Sequence, residues 1–251
     1  MCFVKDAVGQ CLWVSPSVVG AQWPETSAER FARSVGDSCK VVVIGLRVWE
    51  LGLDAPDDLA TEVAAVQQAA ATLGWSRYHL FGFSAGATVA LATARTHPET
   101  VRTVAVYEPA SIGDDDWSCE EAQWRHDLGE VRELPTRQRP PAFRRLLMAP
   151  SSELPPDLPA PQPWDEHTDK LEDMLAAVGF DSADLADATA PALAMSGARS
   201  NWRFTALTNR LVEVMPKAES AIWEGCSHLA PPHRVAPHQL SDRLSRLWSL
   251  G

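Results

Sequence analysis

The sequence has no apolar run long enough to cross a bilayer, and no cluster of lysine and arginine stands out along it. It also has no Cys-x-x-Cys pair, no Gly-x-Gly-x-x-Gly or Walker loop and no internal repeat. Each absence excludes something. A membrane-spanning helix needs about 20 consecutive, mostly apolar residues. Nucleic acid and anionic membranes call for concentrated positive charge, whereas here 33 Asp and Glu outweigh 22 Lys and Arg, a formal charge of −11. The five cysteines, Cys2, Cys11, Cys39, Cys119 and Cys226, are odd in number and widely spaced, so neither a disulfide framework nor a zinc site is expected. They read instead as buried thiols. Without a Gly-rich nucleotide loop, no nucleotide cofactor is implied. The first residues, Met-Cys-Phe-Val-Lys-Asp, lack a signal peptide's basic region and long apolar segment. The expectation is a cytoplasmic protein with no nucleic-acid or membrane partner, and a chain compatible with a homodimer.

What is present is enough for one sizeable core: 251 residues, 45% of them hydrophobic. Strand and helix signals alternate. Residues 11–14 read as a short strand and 27–34 as a short helix. The apolar run 40–45 suits a strand buried on both faces. A long alanine-rich helix over 57–73 starts at Asp57-Asp58, where the dipole favours acids, and stops at Gly74. A strand over 78–81, a helix over 85–95 and a strand over 101–107 follow. Later come a strand at 192–195, a helix at 205–215, a strand at 221–223 and a helix at 237–250. Such alternation predicts an α/β fold, a mostly parallel doubly wound sheet covered on both faces.

The stretch between about Ser111 and Ala188 breaks the rhythm with acidic and proline-rich runs and helical pieces near 120–128, 141–148 and 168–178. It is too long to be a loop. The expected organisation is a core in two parts, 1–110 and 189–251, with a helical cap over 111–188.

The pentapeptide Gly82-Phe83-Ser84-Ala85-Gly86 lies between the strand over 78–81 and the helix that follows. Strand, sharp Gly-x-Ser-x-Gly turn and helix make up the context of a nucleophile elbow, in which the serine hydroxyl is exposed at the sheet's edge. The amide of Ala85 then belongs to a helix N-terminus, where unpaired N–H groups favour an anion.

On these residues the chain resembles an α/β-hydrolase over nearly its whole length, with the insertion in the usual cap position after the family's sixth strand. The resemblance implies a catalytic order of serine, acid, histidine. Ser84 fits the nucleophile, and His228, in Glu224-Gly-Cys-Ser-His228-Leu-Ala-Pro, fits the loop after the last strand. His233 and His238 follow closely and are its rivals. His79 sits in the strand before the elbow, His97 at a helix end, and His126 and His167 in the cap.

Two features depart from the family pattern. Many members carry the acid after the seventh strand as Gly-x-x-Asp, but here the stretch is Gly197-Ala198-Arg199-Ser200, and serine supplies no negative charge. The second placement known in the superfamily, after the sixth strand, is filled by Glu108 in Val104-Ala-Val-Tyr107-Glu108-Pro109. Its implied role is to orient His228 and stabilise its charged form. Asp181, Asp184 and Asp187 precede the next strand and fall at its wrong end. The usual His-Gly of the oxyanion hole is also missing. Ser15-Pro16-Ser17-Val18 stands there instead, and Pro16 has no N–H to give. The hole implied is the amides of Ala85 and Ser17, with Val18 the rival for the second. Arg47 and Gly52 survive from a glycine-rich family loop into which Trp49 intrudes.

The resemblance implies a serine hydrolase that needs no metal and no organic cofactor. Ten tryptophans is a high count. Trp117, Trp124 and Trp164 fall in the cap, and Trp23, Trp49 and Trp202 in loops. As site walls they suit a hydrophobic, ring-containing ester or lactone; the other reading is that they pack the cap onto the core. A carbon–carbon bond hydrolase, a lyase or cyclase, and a ligand-binding receptor are the remaining readings of the same fold.

Overall fold

The computed structural model describes residues 9–15, 39–49, 58–114, 118–158 and 160–251. Its centre is a six-stranded sheet, ordered β2-β1-β3-β4-β5-β6. The strands are β1 (Gln10–Val14), β2 (Lys40–Ile44), β3 (Tyr78–Phe83), β4 (Val101–Tyr107), β5 (Ala192–Gly197) and β6 (Ala218–Trp223). Every neighbouring pair is parallel. From β1 the chain steps outward to β2, then returns to the other side of β1 to place β3 and continues in that direction. Beyond the C-terminal ends of β1 and β3 lies the switch in strand order, where open α/β sheets hold their ligands.

Helix α1 (Leu59–Thr72) starts at Asp58, whose carboxylate accepts the Thr61 N–H. Helix α2 (Ala85–Thr96) is rich in alanine and threonine and is buried from Ala85 to Ala94. Its small side chains let it lie close under the sheet. On that face Leu80, Val104 and Ala194 of the strands pack with Val63 and Val66 of α1 and Val89 of α2. The opposite face carries a second cluster in which Trp13, Phe81, Tyr107 and Met195 meet Leu240, Leu244 and Trp248 of the C-terminal helix α8 (Pro237–Trp248).

Between β4 and β5 the chain forms α3 (Cys119–Glu133), α4 (Arg139–Leu146) and α5 (Glu166–Ala176). Helix α3 is capped by Ser118, and α5 by a reciprocal Asp165–Thr168 capping box. Leu171, Met174 and Leu175 of α5 are buried in the main core cluster, so this helix is anchored to the body of the protein. Helices α6 (Trp202–Val214) and the short α7 (Pro232–Val235) complete the α-helices among the described residues.

Among the described residues no helix is long and apolar enough to cross a membrane. The helix expected over 27–34 lies outside the described residues.

Candidate active site

Ser84 follows β3 and caps α2 with φ 54° and ψ −125°, a left-handed backbone that costs a non-glycine residue about 1–3 kcal/mol. The glycines at either side make the turn feasible. A Cβ on Gly82 would sit 2.5 Å from Ala87 Cα, and one on Gly86 would run into the Val14 carbonyl. The turn is tied to the next strand by the Ser84 N–H, which donates to the Tyr107 carbonyl over 3.0 Å.

Glu108 stands one residue past the end of β4, also with a positive φ of 49°. Ser84 and Glu108 are the only non-glycine residues in that region of backbone space among those described. The Glu108 carboxylate is fully buried. Its Oε1 accepts the Gly197 N–H over 2.7 Å and the Ser200 hydroxyl over 2.5 Å, while Oε2 lies 2.7 Å from His228 Nδ1. His228 Nε2 is in turn 3.1 Å from Ser84 Oγ. Phe204 stacks on the imidazole at 4.8 Å between centroids and 18° between planes, and Phe83 lies 4.9 Å away. The backbone N–H of His228 donates to Ser200 Oγ over 2.7 Å. Serine, histidine and glutamate, taken from three separate stretches of sequence, thus form one hydrogen-bonded line.

The two rival histidines are elsewhere. His238 is exposed on α8. His233 is buried among Trp13, Phe81 and Phe83, its Nδ1 meets no partner, and burial pushes its pKa down to about 3. Such an imidazole stays neutral. Asp181, Asp184 and Asp187 are exposed ahead of β5.

Above Ser84 is a cavity of about 600 Å³. Phe83, Ser84, Ala85 and His228 line it on the sheet side, and Trp124, Phe143 and Trp164 on the side of the segment between β4 and β5. Among the described residues no group accepts from the Ala85 N–H. Trp49 lines the cavity and lies 6.4 Å from the His167 ring. Trp124 and Trp164 line it while also packing on Phe143. Trp202 corrects the sequence expectation. At the first turn of α6 its side chain points away from the cavity and is 59% exposed, whereas Arg203 and Phe204 turn inward. Ser17, Val18, Trp23 and Trp117 lie outside the described residues.

The charges round the cavity are a second correction, because arginines scattered along the sequence converge in space. Arg125 and Arg132 of α3, Arg144 of α4 and Arg203 of α6 all line it, with Glu121 and Glu172. Arg203 is almost wholly buried and donates through Nε to Glu121 over 2.6 Å. The same carboxylate takes Arg125 Nε over 2.9 Å. The Arg203 guanidinium lies 4.6 Å over Trp124 and 4.8 Å over Phe204. Burial lowers its pKa, with Glu121 opposing.

Comparison with known proteins agrees with this architecture. The family model described as "Alpha/beta hydrolase family" matches residues 11–243. The chain belongs to the alpha/beta hydrolase family. Among curated proteins no sequence relative matches. Similar solved structures include a membrane phospholipase A, described as a bacterial virulence factor, at 23% identity over 96% of this chain and 78% of that one, with a TM-score of 0.69. Carboxylesterase CesB (YbfK) from Bacillus subtilis is similar at 14% identity, 98% and 85% coverage and a TM-score of 0.64. MenH from S. aureus is similar at 12% identity, 97% and 94% coverage and 0.68. At these identities the likeness is one of fold.

Within this alpha/beta hydrolase, sequence reasoning missed the polar residues that brace the line. Ser200 was read only as a missing acid. Gly197 carried a signal, since a glycine ending a strand beside the site offers a backbone N–H at close range. Arg203 and Glu121 carried none, because isolated charges at helix starts read as surface.

Proposed function

We propose that this protein is a serine hydrolase that cleaves an ester or lactone bond in a hydrophobic, ring-containing small molecule through an acyl-enzyme. The observation that carries the reading is the hydrogen-bonded line from Ser84 through His228 to Glu108, opening on an aromatic-walled cavity.

In this reading Glu108, an acceptor when ionised, holds the His228 proton on Nδ1, which leaves Nε2 to accept from the Ser84 hydroxyl. Ser84 Oγ attacks the carbonyl carbon as His228 takes its proton, and the carbonyl electrons move onto oxygen. The Ala85 N–H receives that oxyanion. Such a donor is worth about 2.7–4 kcal/mol in comparable sites. Collapse expels the alkoxide, which takes the proton from His228. A water deprotonated by His228 then attacks the acyl-enzyme and frees Ser84. Glu108 stabilises the imidazolium at both stages without being protonated itself.

The test is hydrolysis of p-nitrophenyl esters and aromatic lactones by wild type, Ser84→Ala and Glu108→Gln, with fluorophosphonate labelling of Ser84. Losses on the order of 10⁶-fold and 10⁴-fold in kcat are expected for the two variants. Absence of labelling and of turnover on every substrate would overturn the reading, and activity surviving Glu108→Gln would move the acid elsewhere.

A further inference from the structure

The cavity-lining residues of α5 are Thr168, Leu171, Glu172, Leu175 and Ala176. Their spacing is that of one helical face, with Glu172 at its centre. Leu171 and Leu175, which flank it along that face, are buried. Glu172 therefore presents a carboxylate from an apolar stripe into the space above Ser84.

The other charged groups round the cavity are largely engaged, although the buried Nη1 of Arg203 has no hydrogen-bond partner among the described residues. Glu121 receives Arg203 and Arg125. Arg132 is drawn to Asp173 over 2.7 Å and to Asp169 over 4.0 Å, behind the same helix. Arg203 also donates to the Ala110 carbonyl, Arg125 to the Ile112 carbonyl and Arg144 to the Ala160 carbonyl. Glu172 makes no hydrogen bond or ion pair among the described residues. Arg132 and Arg203 attract it, and Asp169 and Asp173 repel it, only at longer range. Burial dominates and pushes its carboxyl up to about 7. A carboxylate with unfilled acceptor positions on an otherwise apolar helix face is stabilised most by a donor that brings positive charge, because a charge-assisted hydrogen bond is roughly twice as strong as a neutral one. A bound cation also favours the ionised carboxylate over the protonated one.

The geometry points to a substrate with an apolar, ring-bearing body and one protonated amine, the amine held by the Glu172 carboxylate while the scissile carbonyl lies at Ser84. This deepens the hydrolase reading and rests on it for the second half of the statement. The aromatic walls accept the same ligand, since Trp and Phe faces attract cations.

Binding is measured first, by calorimetry on Ser84→Ala protein, with phenethylammonium and its uncharged counterpart phenethyl alcohol. The ammonium should bind at least tenfold more tightly, and adding Glu172→Gln should abolish that ratio. Hydrolysis of phenylalanine ethyl ester, ethyl hydrocinnamate and the benzylsuccinate half-ester by wild type then compares a cation, a neutral group and an anion on one benzyl body. The cationic ester should have the lowest KM, and Glu172→Gln should remove its advantage. Equal binding of amine and alcohol, a ratio that survives Glu172→Gln, or preference for the anionic ester would overturn the inference. Amine binding that depends on Glu172, without turnover of any ester or fluorophosphonate labelling, would sustain the binding site and strike the hydrolase reading instead.

Discussion

The Ser200 hydroxyl donates to Oε1 of Glu108 over 2.5 Å, and through the same oxygen it accepts the backbone N–H of His228 over 2.7 Å. One side chain thereby holds the Glu108 carboxylate and the loop that carries His228. Ser200→Ala removes a hydrogen bond to a charged group, worth about 1.5–3 kcal/mol, and strands a buried N–H. If that stabilisation acts in the transition state, kcat should fall roughly tenfold to a hundredfold with KM little changed. Ser200→Thr, which keeps the hydroxyl, should recover most of the loss. Steady-state kinetics on a p-nitrophenyl ester checks both, and equal kcat values for the alanine variant and wild type would refute the role.

Because Ser200 touches both partners, its position is within reach of a relocated acid. Glu108→Ser together with Ser200→Asp puts the carboxylate after β5 and a hydroxyl after β4. The double variant is expected to exceed Glu108→Ser alone by at least tenfold in kcat. A double variant no better than the single one would show that only the β4 position aims a carboxylate at Nδ1.

Acid should unfold the protein partly through two buried imidazoles. Burial, with smaller effects from Arg234 and His228, lowers His233 to about 3. Burial, then Arg102 and Arg77, lowers His79 to about 4. In the unfolded chain both take up protons near pH 6.5, while in the folded protein they stay neutral. Stability is therefore complete above pH 6.5 and is lost as pH falls toward 3, by about 1.4 kcal/mol per unit for each group. His233→Phe keeps a ring among Trp13, Phe81 and Phe83 and removes one of the two contributions. Urea midpoints between pH 4 and 8 should show a shallower acid decline than wild type and no gain at pH 8. An unchanged decline would mean that His233 is protonated in the folded state.

Glu121 should matter to folding more than its place on a surface-looking helix suggests. Glu121→Gln leaves Arg203, whose side chain is 1% exposed, without its counter-ion. Breaking a buried pair on one side costs about 3–5 kcal/mol. The combined Glu121→Leu and Arg203→Met change should restore much of that stability. Denaturant unfolding of the three proteins tests the point, and a Glu121→Gln loss below 1 kcal/mol would sink it.

The sheet was legible wherever burial was complete. The apolar run at β4 is legible at both ends, because a strand covered on both faces has no polar alternation to hide it. The run at 40–45 gives β2 to within a residue, but β2 is the outer strand and Val41 to Ile44 are only half-buried, which corrects the expectation of burial on both faces. At the margin, β6 begins at Ala218 rather than Ala221, since Glu219 and Ser220 of this outer strand face solvent and give no apolar signal. Helix α6 begins at Trp202 rather than Thr205, under an Asn201 cap that accepts the Arg203 N–H. In the site, the elbow was readable because its glycines, serine and following helix are contiguous. Glu108 was reached only by finding serine at the usual acid position. The convergence of Arg125, Arg132, Arg144 and Arg203 on one cavity depends on the packing of α3, α4 and α6, which no linear spacing records.

The placement of the cap helices bears on how such a protein can diversify. Ser84, Glu108, Ser200 and His228 belong to strand ends and loops of the sheet and Ala85 to the start of α2, while α3, α4 and α5 enter and leave between β4 and β5. In the proposed reading, one insertion could be exchanged for another and alter what is recognised without touching the line from Ser84 through His228 to Glu108. The exchange carries one inherited condition. Arg203 is supplied by the core, sealed from water and laid against the ring that stacks on His228. Any successor cap must bring a carboxylate to the place of Glu121, or the core must give up its arginine in the same step.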